Sequence, residues 1–324
     1  MLIFASSMEL KVLPYITQKR LLNLALIAAN YLESVCTGQV IHRAKPYAAS
    51  IEPANYCNLN CRQCPTGNGS IKKTPLCLSI KNFKKIINPL LPELTYLNLY
   101  FQGEPFLNND LAEMIQYAHE ERVFTCVSTN GHFLSKEICE QLKKAKLDKL
   151  IICLDGATKD TYETYRKGGD FDTVVEGIKN SVKAKLPVEV QCLLLKSNEH
   201  EKNDIKRLCK KLGVSKINFK KAQFYDYELM PTKQSNRRYK KTEDGKYIPK
   251  RAIHNRCWRL WSSVVISIGG EILPCCFDKD ASHSFGNIFQ DSFSNIWLSN
   301  KANTFRLNVL KNRSSIPICI NCTE

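Results

Sequence analysis

Three cysteines lie close together at Cys57, Cys61 and Cys64, with the spacing C-x3-C-x2-C. Three thiolates on one loop can bind three irons of a cubane iron–sulfur cluster and leave the fourth iron free for another molecule. A closed structural zinc site needs four ligands, and the nearest further candidates, His42 and Cys77, lie in poor register. The spacing therefore favours an open cluster, with a zinc site and chance burial of the thiols as alternatives.

A second group of cysteines lies near the C-terminus, at Cys257, Cys275, Cys276, Cys319 and Cys322. Separate pairs of cysteines can together supply the four thiolates that a closed iron–sulfur cluster or a zinc site requires. The spacing G-x4-C favours Cys275 over its neighbour Cys276 as the fourth ligand. We expect one metal site here, and the sequence leaves open whether it holds iron–sulfur or zinc.

Polar segments end several of the predicted strands. Gly103–Pro105 ends the second strand, Ser128–Gly131 ends the third, and Asp155 ends the fourth, with Arg166 shortly after it. Parallel α/β folds place their chemistry where the carboxyl ends of the strands meet. Each feature alone is weak evidence, but three such strand ends with Arg166 close behind the last are hard to obtain by chance.

Taken together and in this order, these features resemble the radical S-adenosylmethionine (SAM) superfamily, and the C-terminal cysteines resemble its SPASM/twitch auxiliary-cluster domain. The resemblance implies a SAM-binding 4Fe–4S cluster, SAM as cosubstrate and a second, auxiliary 4Fe–4S cluster. It assigns metal binding to Cys57, Cys61, Cys64, Cys257, Cys275, Cys319 and Cys322. It assigns SAM binding to Gly103, Glu104, Pro105, Ser128, Asn130, Asp155, Arg166, Gln191 and Asn198. One departure is Gln63, where many members carry an aromatic residue.

The resemblance also implies a role for individual residues. Gly103–Pro105 would contact the amino group of SAM, since carboxylates and carbonyls hold an ammonium. The guanidinium of Arg166 would match the SAM carboxylate bidentately. In related enzymes an acid beside the auxiliary cluster takes a proton from the substrate, and Asp278 is our candidate for this catalytic base. A turn or helix cap is the structural alternative for Asp278.

The elements that must position these residues alternate between strand and helix. We expect strands at 49–53, 94–101, 123–128, 149–154, 188–195 and 216–220. We expect helices at 80–91, 110–121, 136–144, 171–185 and 199–212. Such alternation predicts a parallel sheet with right-handed crossovers. Six units fall short of eight, so the expected fold is α/β, a partial (β/α)6 TIM-like barrel with a small C-terminal cysteine-rich auxiliary-cluster domain.

The expected domain organisation has four parts: a helical extension at 1–47, the barrel at 48–224, a basic loop or linker at 225–256 and the auxiliary-cluster domain at 257–324. Within the extension, Leu21–Leu32 is too short and too polar to span a bilayer. We expect an amphipathic helix that packs on the barrel, with a membrane-surface helix as the alternative.

Composition constrains the partners and the compartment. Lysine and arginine total 47 against 31 acids, a net charge of +16, which fits either a solvated basic surface or an anionic partner such as RNA, a peptide or a membrane surface. Fifteen cysteines without a signal-peptide pattern predict a reducing cytoplasm. The scattered cysteines are expected in the core: Cys36, Cys77, Cys126, Cys139, Cys153, Cys192 and Cys209.

These features predict an enzyme that reductively cleaves SAM to a 5′-deoxyadenosyl radical and abstracts hydrogen from a substrate. The substrate is either a peptide or protein, or a sugar or cyclitol that is dehydrogenated. The implied electron donor is a flavodoxin or ferredoxin, and nucleic acid is not an expected partner. The alternative from another class is a non-catalytic metal-binding protein with a basic RNA-binding surface.

Overall fold

A parallel sheet of consecutive strands forms the centre of the protein. The strands are Ala48–Ile51 (β1), Tyr96–Asn98 (β2), Phe124–Thr129 (β3), Lys149–Cys153 (β4), Val188–Leu194 (β5), Lys216–Lys221 (β6), Tyr239–Lys241 (β7), Tyr247–Pro249 (β8), Ser263–Ile266 (β9), Glu271–Leu273 (β10) and Gly286–Asn287 (β11). Neighbours from β1 to β6 are all parallel. This arrangement confirms the expected open partial barrel.

The computed structural model describes residues 10–224 and 226–322. Residues 1–9, 225 and 323–324 lie outside the described residues, and with them parts of the expected extension, linker and C-terminal unit, including the segment without a signal-peptide pattern. Within the described ranges, one sheet has the strand order β11-β10-β9-β1-β2-β3-β4-β5-β6, and β7 pairs with β8.

Helices alternate with the strands of the barrel, and further helices lie before and after it. The helices of the described residues are Gln18–Thr37 (α1), Ile80–Ile87 (α2), Leu111–Glu120 (α3), Lys136–Lys144 (α4), Lys159–Tyr165 (α5), Phe171–Lys183 (α6), Lys202–Lys211 (α7), Arg259–Ser262 (α8), Phe293–Trp297 (α9), Asn300–Asn312 (α10) and Pro317–Ile320 (α11). The α5 helix was absent from the sequence-based expectation. The other helices of the barrel lie where the apolar periodicity places them.

Helix α2 illustrates why these segments fold as they do. The Ser79 hydroxyl accepts a hydrogen bond from the Asn82 amide at 3.3 Å and caps the first turn. Phe83, Ile86 and Ile87 recur at helical spacing and are fully buried against the sheet. Burying side chains of this size stabilises the fold by about 1.5–3 kcal/mol each.

The C-terminal unit is joined to the barrel through its first strand. Strand β9 pairs in parallel with β1, with Val264 opposite Ala49, and β10 and β11 continue the sheet as antiparallel strands. Strand β1 leads into the loop with the first three cysteines, and β10 leads into Cys275. One continuous sheet therefore fixes the two cysteine groups relative to each other.

The segment expected as a linker is instead folded. Strands β7 and β8 form an antiparallel hairpin, 239–249, which we call the basic hairpin because Lys240 and Lys241 are exposed on it. Tyr239 is buried, and the rings of Tyr227 and Tyr247 lie 4.6 Å apart. The tyrosine rings give this hairpin apolar contacts. These contacts are hard to foresee from the sequence, because lysine and arginine dominate the segment.

Helix α1 packs on the rest of the protein through both polar and apolar side chains. Asn23 bonds to the Lys45 carbonyl at 2.9 Å, and Asn30 accepts from the Arg43 amide at 2.7 Å. Leucines cover the opposite, exposed face: Leu21, Leu22, Leu26 and Leu32. Its apolar contact is made by the fully buried Ile27 and by Tyr31, which pack against Leu260 and Trp261 of α8. The helix therefore packs on the protein as expected, and the exposed leucines take no part in this contact. No described helix is long and apolar enough to cross a membrane.

The scattered cysteines divide into two sets. The buried set, as expected, consists of Cys126, Cys139, Cys192 and Cys209. Cys153 is half-buried, whereas Cys36 and Cys77 are exposed and do not belong to the core. Their exposure corrects the prediction of a core position for these two.

Candidate active site and auxiliary cluster site

The first three cysteines lie on the segment 52–68 that follows β1, which we call the cluster loop. Cys61 is buried, and Cys57 and Cys64 are half-buried in the same apolar cluster. The Cys64 amide donates to the Cys61 carbonyl at 3.0 Å. A Cβ on Gly67 would lie 2.8 Å from the Cys61 amide nitrogen, so this turn requires glycine. The loop thus brings together the three thiols that the spacing predicted.

Hydrogen-bond donors surround two of these thiols. The Cys57 sulfur accepts from the Leu59 amide at 3.4 Å and the Asn130 side-chain amide at 3.7 Å. The Arg166 guanidinium lies 3.9 Å from the Cys61 sulfur. Burial raises the pKa of Cys57, and it raises the pKa of Cys61 to about 11 although Arg166 opposes it. Metal binding must therefore displace protons from these thiols.

Gly103–Pro105 is pressed directly against the cluster loop. The Glu104 amide donates to the Tyr56 carbonyl at 2.9 Å. A Cβ on Gly103 would lie 2.6 Å from the same Tyr56 carbonyl oxygen and would also collide with the carbonyl of Ala54. Only glycine allows this close approach of the two segments.

The Glu104 carboxylate is buried and braces the next strand end. It accepts from the Thr129 hydroxyl at 2.7 Å, the Asn130 amide at 2.8 Å and the Phe106 amide at 3.1 Å. Burial raises its pKa against the effect of these hydrogen bonds. Both oxygens thus have protein partners, which leaves backbone carbonyls of the segment as further acceptors.

Asn130 links the third strand end to the cluster loop. Its side-chain nitrogen donates to the Asn58 oxygen at 2.8 Å, and its oxygen lies 2.9 Å from Nδ1 of His132. The other ring nitrogen of His132 accepts from the Asp170 amide at 2.8 Å, so Nδ1 carries the proton. Burial lowers the pKa of His132. Neither Asn58 nor His132 was predicted from the sequence, although His132 directly follows the predicted segment Ser128–Gly131.

Arg166 is held in place by a buried ion pair with Asp155. Its Nε and Nη2 lie 2.7 and 2.6 Å from one Asp155 oxygen, and the other oxygen accepts from the Leu193 amide at 2.6 Å. Burial opposes the charge on Arg166, but Asp155 and the nearby thiols outweigh it and raise the pKa. The pair fixes the guanidinium beside Cys61. Sequence reasoning named both residues without foreseeing that they pair.

The remaining predicted SAM-binding residues are Asn198, Ser128 and Gln191. Asn198 is fully buried and donates to the carbonyls of Asp155 at 2.9 Å and Leu193 at 2.8 Å, so it braces the turn that carries Asp155. The Ser128 hydroxyl lies 3.8 Å from the Cys153 sulfur. Gln191 is half-buried on β5 and pairs in register with Cys153. Direct contact of these residues with SAM stays a prediction.

The second cysteine group lines one cavity, which we call the auxiliary cavity. Cys257, Cys275, Cys319 and Cys322 all lie on its wall, and its volume with its mouth is ≈ 360 Å³. Burial raises the pKa of Cys257 and Cys275 and raises that of Cys319 to about 11. Four thiols around one cavity fit a closed metal centre.

Two arginines lie on the wall of the auxiliary cavity, and Cys276 does not. Arg259 and Arg313 lie on its wall beside the four thiols. The Arg313 Nη2 donates to the Cys322 sulfur at 3.1 Å. Cys276 lies outside the wall, and its sulfur accepts from Arg259 at 3.7 Å. The geometry therefore groups Cys275, and not Cys276, with the other three thiols.

Asp278 is fully buried next to the cavity rather than on its wall, as far as the described residues extend. Its carboxylate accepts from the Ser282 hydroxyl at 3.1 Å and from the His283 amide at 3.1 Å. Burial raises its pKa. These bonds make it the cap of the turn 278–283, and its role as a catalytic base stays a prediction.

Within residues 10–224 and 226–322, no three His, Cys, Asp or Glu side chains lie close enough together to hold a single metal ion. A cubane differs in this respect, because its cysteines bind separate iron atoms. The thiol-only donor sets and the donors around Cys57, Cys61 and Cys322 fit iron–sulfur clusters.

Comparison with known families gives two adjacent matches. Residues 51–209 match the radical SAM superfamily, and residues 257–323 match the iron–sulfur cluster-binding SPASM domain. The first match contains the cluster loop and its three partner segments. The second contains all four thiols of the auxiliary cavity.

Individual relatives point the same way. The chain is 27% identical over 277 residues to AlbA, the antilisterial bacteriocin subtilosin biosynthesis protein of Bacillus subtilis, a match that covers 78% of this chain and 60% of AlbA. It is 28% identical to the mycofactocin maturase MftC of Mycobacterium tuberculosis, over 52% of this chain and 43% of MftC. The chain thus spans about half the length of the curated relatives that it matches.

Solved structures share the fold. SuiB of Streptococcus suis bound to S-adenosylmethionine has a TM-score of 0.66 at 14% identity, over 86% of this chain and 71% of SuiB. BtrN in complex with AdoMet and 2-DOIA has a TM-score of 0.56 at 18% identity, over 87% of this chain and 94% of BtrN. The radical SAM match implies SAM and its 4Fe–4S cluster as cofactors, and the SPASM match implies additional iron–sulfur. With three thiols at the carboxyl end of β1 and four around one cavity beside β9, the chain belongs to the radical SAM superfamily and is a SPASM-containing enzyme of that family.

Proposed function

We propose that this enzyme generates a 5′-deoxyadenosyl radical and uses it to modify a peptide. Cys57, Cys61 and Cys64 would hold the SAM cluster, since they share one loop at the carboxyl end of the sheet. When bound, the cluster supplies the electron that cleaves SAM. The observation that carries the peptide assignment is the position of the basic hairpin beside the cluster loop.

The protein's own groups would orient SAM. Arg166, fixed by Asp155 at 2.7 Å, presents its remaining N–H groups beside Cys61 and can hold the SAM carboxylate. The carbonyls of Gly103–Pro105 can accept from the SAM ammonium, because Glu104 is already engaged by Thr129 and Asn130. Apolar residues around the loop exclude water from this site.

The basic hairpin packs against the same apolar cluster as the three thiols. Tyr239 and Tyr247 contact that cluster, together with Cys61 and Cys64. In the segment that precedes the hairpin, Asp226 pairs with Arg62 of the cluster loop at 2.7 Å. A peptide bound to the hairpin would therefore lie close to the place where the radical forms.

The hairpin has the properties of an acceptor for an extended peptide. Among the described strands, β7 and β8 pair only with each other, so each has an open edge to which a further strand can add. Lys240 and Lys241 are exposed on β7, and the chain carries +16 overall. An acidic peptide matches this charge. The names of AlbA and MftC, a biosynthesis protein for a bacteriocin and a maturase, agree with such a substrate.

We further propose Cys257, Cys275, Cys319 and Cys322 as ligands of the auxiliary cluster, because they share one cavity wall. A non-catalytic RNA-binding protein does not agree with membership of this enzyme family. Dehydrogenation of a sugar or cyclitol remains the competing substrate class, and the likeness to BtrN at 18% identity concerns the fold alone.

The test is anaerobic turnover of the reconstituted enzyme with dithionite. Short acidic peptides encoded beside the gene and an amino-cyclitol are compared as probes, with 5′-deoxyadenosine and a mass change of the probe as readouts. We expect a peptide to stimulate 5′-deoxyadenosine formation and to change in mass. Stimulation by the amino-cyclitol without any modified peptide would contradict the peptide assignment.

A charge-reversal pair tests the hairpin itself. Lys240→Glu with Lys241→Glu should raise the KM for an acidic peptide about tenfold or more and leave cleavage of SAM without substrate unchanged. Lys210→Glu with Lys211→Glu, at the end of the outer helix α7, is the charge-matched control. An equal rise in KM for the hairpin variant and the helix variant would show that the overall positive charge attracts the peptide, and not that the hairpin binds it.

A further inference from the structure

Arg313 is a buried arginine whose guanidinium touches the cysteines of the auxiliary cavity. It lies at the junction of α10 and α11, is 3% exposed, and its Nη2 donates to the Cys322 sulfur at 3.1 Å. Burial alone would lower its pKa, but the thiols of Cys257, Cys322 and Cys319 outweigh burial and raise it. The thiols of the proposed cluster ligands thus favour the charged form of this guanidinium.

The guanidinium is fixed from the other side by the chain that precedes Cys257. Nη1 of Arg313 donates to the Arg256 carbonyl at 2.7 Å, and the Arg313 amide donates to the Asn255 side-chain oxygen at 3.0 Å. The first bond holds the guanidinium and the second holds the backbone that carries it, so protein groups direct Arg313 toward Cys322. Arg313 thus ties the segment before Cys257 to the C-x2-C segment at Cys319.

Hydrogen bonds and positive charge at the sulfur ligands change the electronic properties of a cluster. Four thiolates bring more negative charge than the iron–sulfur core neutralises, and each added electron increases it. A donor on a ligand sulfur stabilises the reduced state more than the oxidised state and therefore raises the reduction potential. Arg259, on the same wall, adds a second positive charge, but its Nη1 is directed at Cys276 at 3.7 Å.

We propose that Arg313 is a positioning residue that raises the reduction potential of the auxiliary cluster through its N–H···S bond to Cys322. The inference rests on the proposed auxiliary ligands Cys257, Cys275, Cys319 and Cys322. Each proposed site has a guanidinium at one ligand sulfur, but Arg166 lies 3.9 Å from the Cys61 sulfur, whereas Arg313 lies 3.1 Å from the Cys322 sulfur. The shorter bond gives this chain a way to set the two clusters at different potentials.

The experiment is a redox titration of the reconstituted full chain, followed by electron paramagnetic resonance. In Arg313→Gln, which loses the charge, and Arg313→Lys, which keeps it but loses the planar fork, the auxiliary signal should shift to a more negative potential. At a fixed potential we expect the ratio of reduced to oxidised auxiliary cluster to fall about tenfold in Arg313→Gln, a shift of about 59 mV for one electron. The shift in Arg313→Lys should be smaller, and the SAM cluster should not shift.

The outcomes separate this inference from the proposed function. A wild-type protein with iron and sulfide for one cluster only would refute the auxiliary site itself. Two clusters whose potentials are unchanged in both variants would overturn the role of Arg313 alone. Loss of the auxiliary cluster from both variants would also overturn it, because Arg313 would then serve assembly and not potential. Arg259→Lys is the matched control on the same wall, with a smaller expected shift than Arg313→Gln.

Discussion

The two cysteine sites are built in opposite ways. Cys57, Cys61 and Cys64 lie within one loop after one strand, whereas the thiols of the auxiliary cavity come from three separate segments that β9, β10 and the C-terminal helices bring together. A local loop leaves one side of its metal site open to a second molecule. A cavity walled by four thiols closes the metal off. With the proposed ligands, the number of thiols and their separation along the chain would make the first a site for SAM and the second a site without a free position.

The strongest test of this contrast removes the open site. Changing Cys57, Cys61 and Cys64 together to alanine should abolish SAM cleavage and remove about half of the iron, because one of two cubanes is lost. The measurements are 5′-deoxyadenosine by chromatography and iron and sulfide content. Cys36→Ser, at an exposed cysteine outside both sites, is the control and should change neither. Retained cleavage in the triple variant would refute the assignment.

Removing the closed site should separate SAM cleavage from substrate turnover. Cys319→Ala with Cys322→Ala takes away two of four auxiliary ligands, so we expect loss of that cluster and of substrate modification. Cleavage of SAM in the absence of substrate should persist, since the cluster loop is untouched. Full turnover in this variant would show that the auxiliary site has a structural role and takes no part in substrate modification.

A comparison of Cys275 with Cys276 tests which of these two cysteines is the fourth ligand of the auxiliary cluster. Cys275→Ser should lose most of the auxiliary iron because Cys275 lies on the cavity wall. Cys276→Ser should retain it, since that sulfur faces Arg259 at 3.7 Å. Iron content and the reduced-state resonance spectrum distinguish them. The reverse result would place the fourth ligand at Cys276.

At the open site, Arg166→Lys should weaken SAM binding. A lysine cannot keep two contacts with Asp155 and still direct N–H groups beside Cys61. Loss of one charged hydrogen bond costs about 1.5–3 kcal/mol, so SAM affinity should fall about tenfold to a hundredfold. A SAM titration of the cluster spectrum measures this, and iron content should stay that of the wild type. Unchanged affinity would show that Arg166 only stabilises the fold.

The smallest expected effect concerns Asp278 beside the closed site. Burial raises its pKa above the ordinary 3.8, so the folded protein binds this proton more tightly than the unfolded chain does. Wild-type stability should therefore fall as pH rises through the interval above 3.8, and Asp278→Asn should lack that fall. The difference in unfolding free energy, variant minus wild type, should increase with pH in denaturant titrations. A difference that does not change with pH would contradict the raised pKa of Asp278. Loss of turnover in Asp278→Asn with unchanged stability would support the role of Asp278 as catalytic base.

Sequence reasoning was most successful where function depends on local spacing. The cluster loop, the strand-end segments and the six parallel strands follow from residues near one another, because a C-x3-C-x2-C loop and alternating apolar runs each specify their own geometry. The short helix α5 and the basic hairpin were missed, since their apolar anchors, Tyr162 and Tyr239, lie among polar residues. The exposed leucines of α1 were missed because its buried asparagines satisfy distant backbone groups.

The amino-acid sequence by itself determined the family, the three-thiol loop and the succession of β1 to β6. The loop is encoded within eight consecutive residues, and the family and the strands follow from short motifs and apolar runs whose order along the chain is visible in the sequence. Tertiary structure alone decided which C-terminal thiols share a cavity, that Asp155 fixes Arg166, that Arg313 reaches Cys322 and that the basic hairpin lies against the cluster loop. The physical reason is distance along the chain: these contacts join segments whose approach depends on the pairing of β9 with β1 and on burial, and no local pattern specifies either.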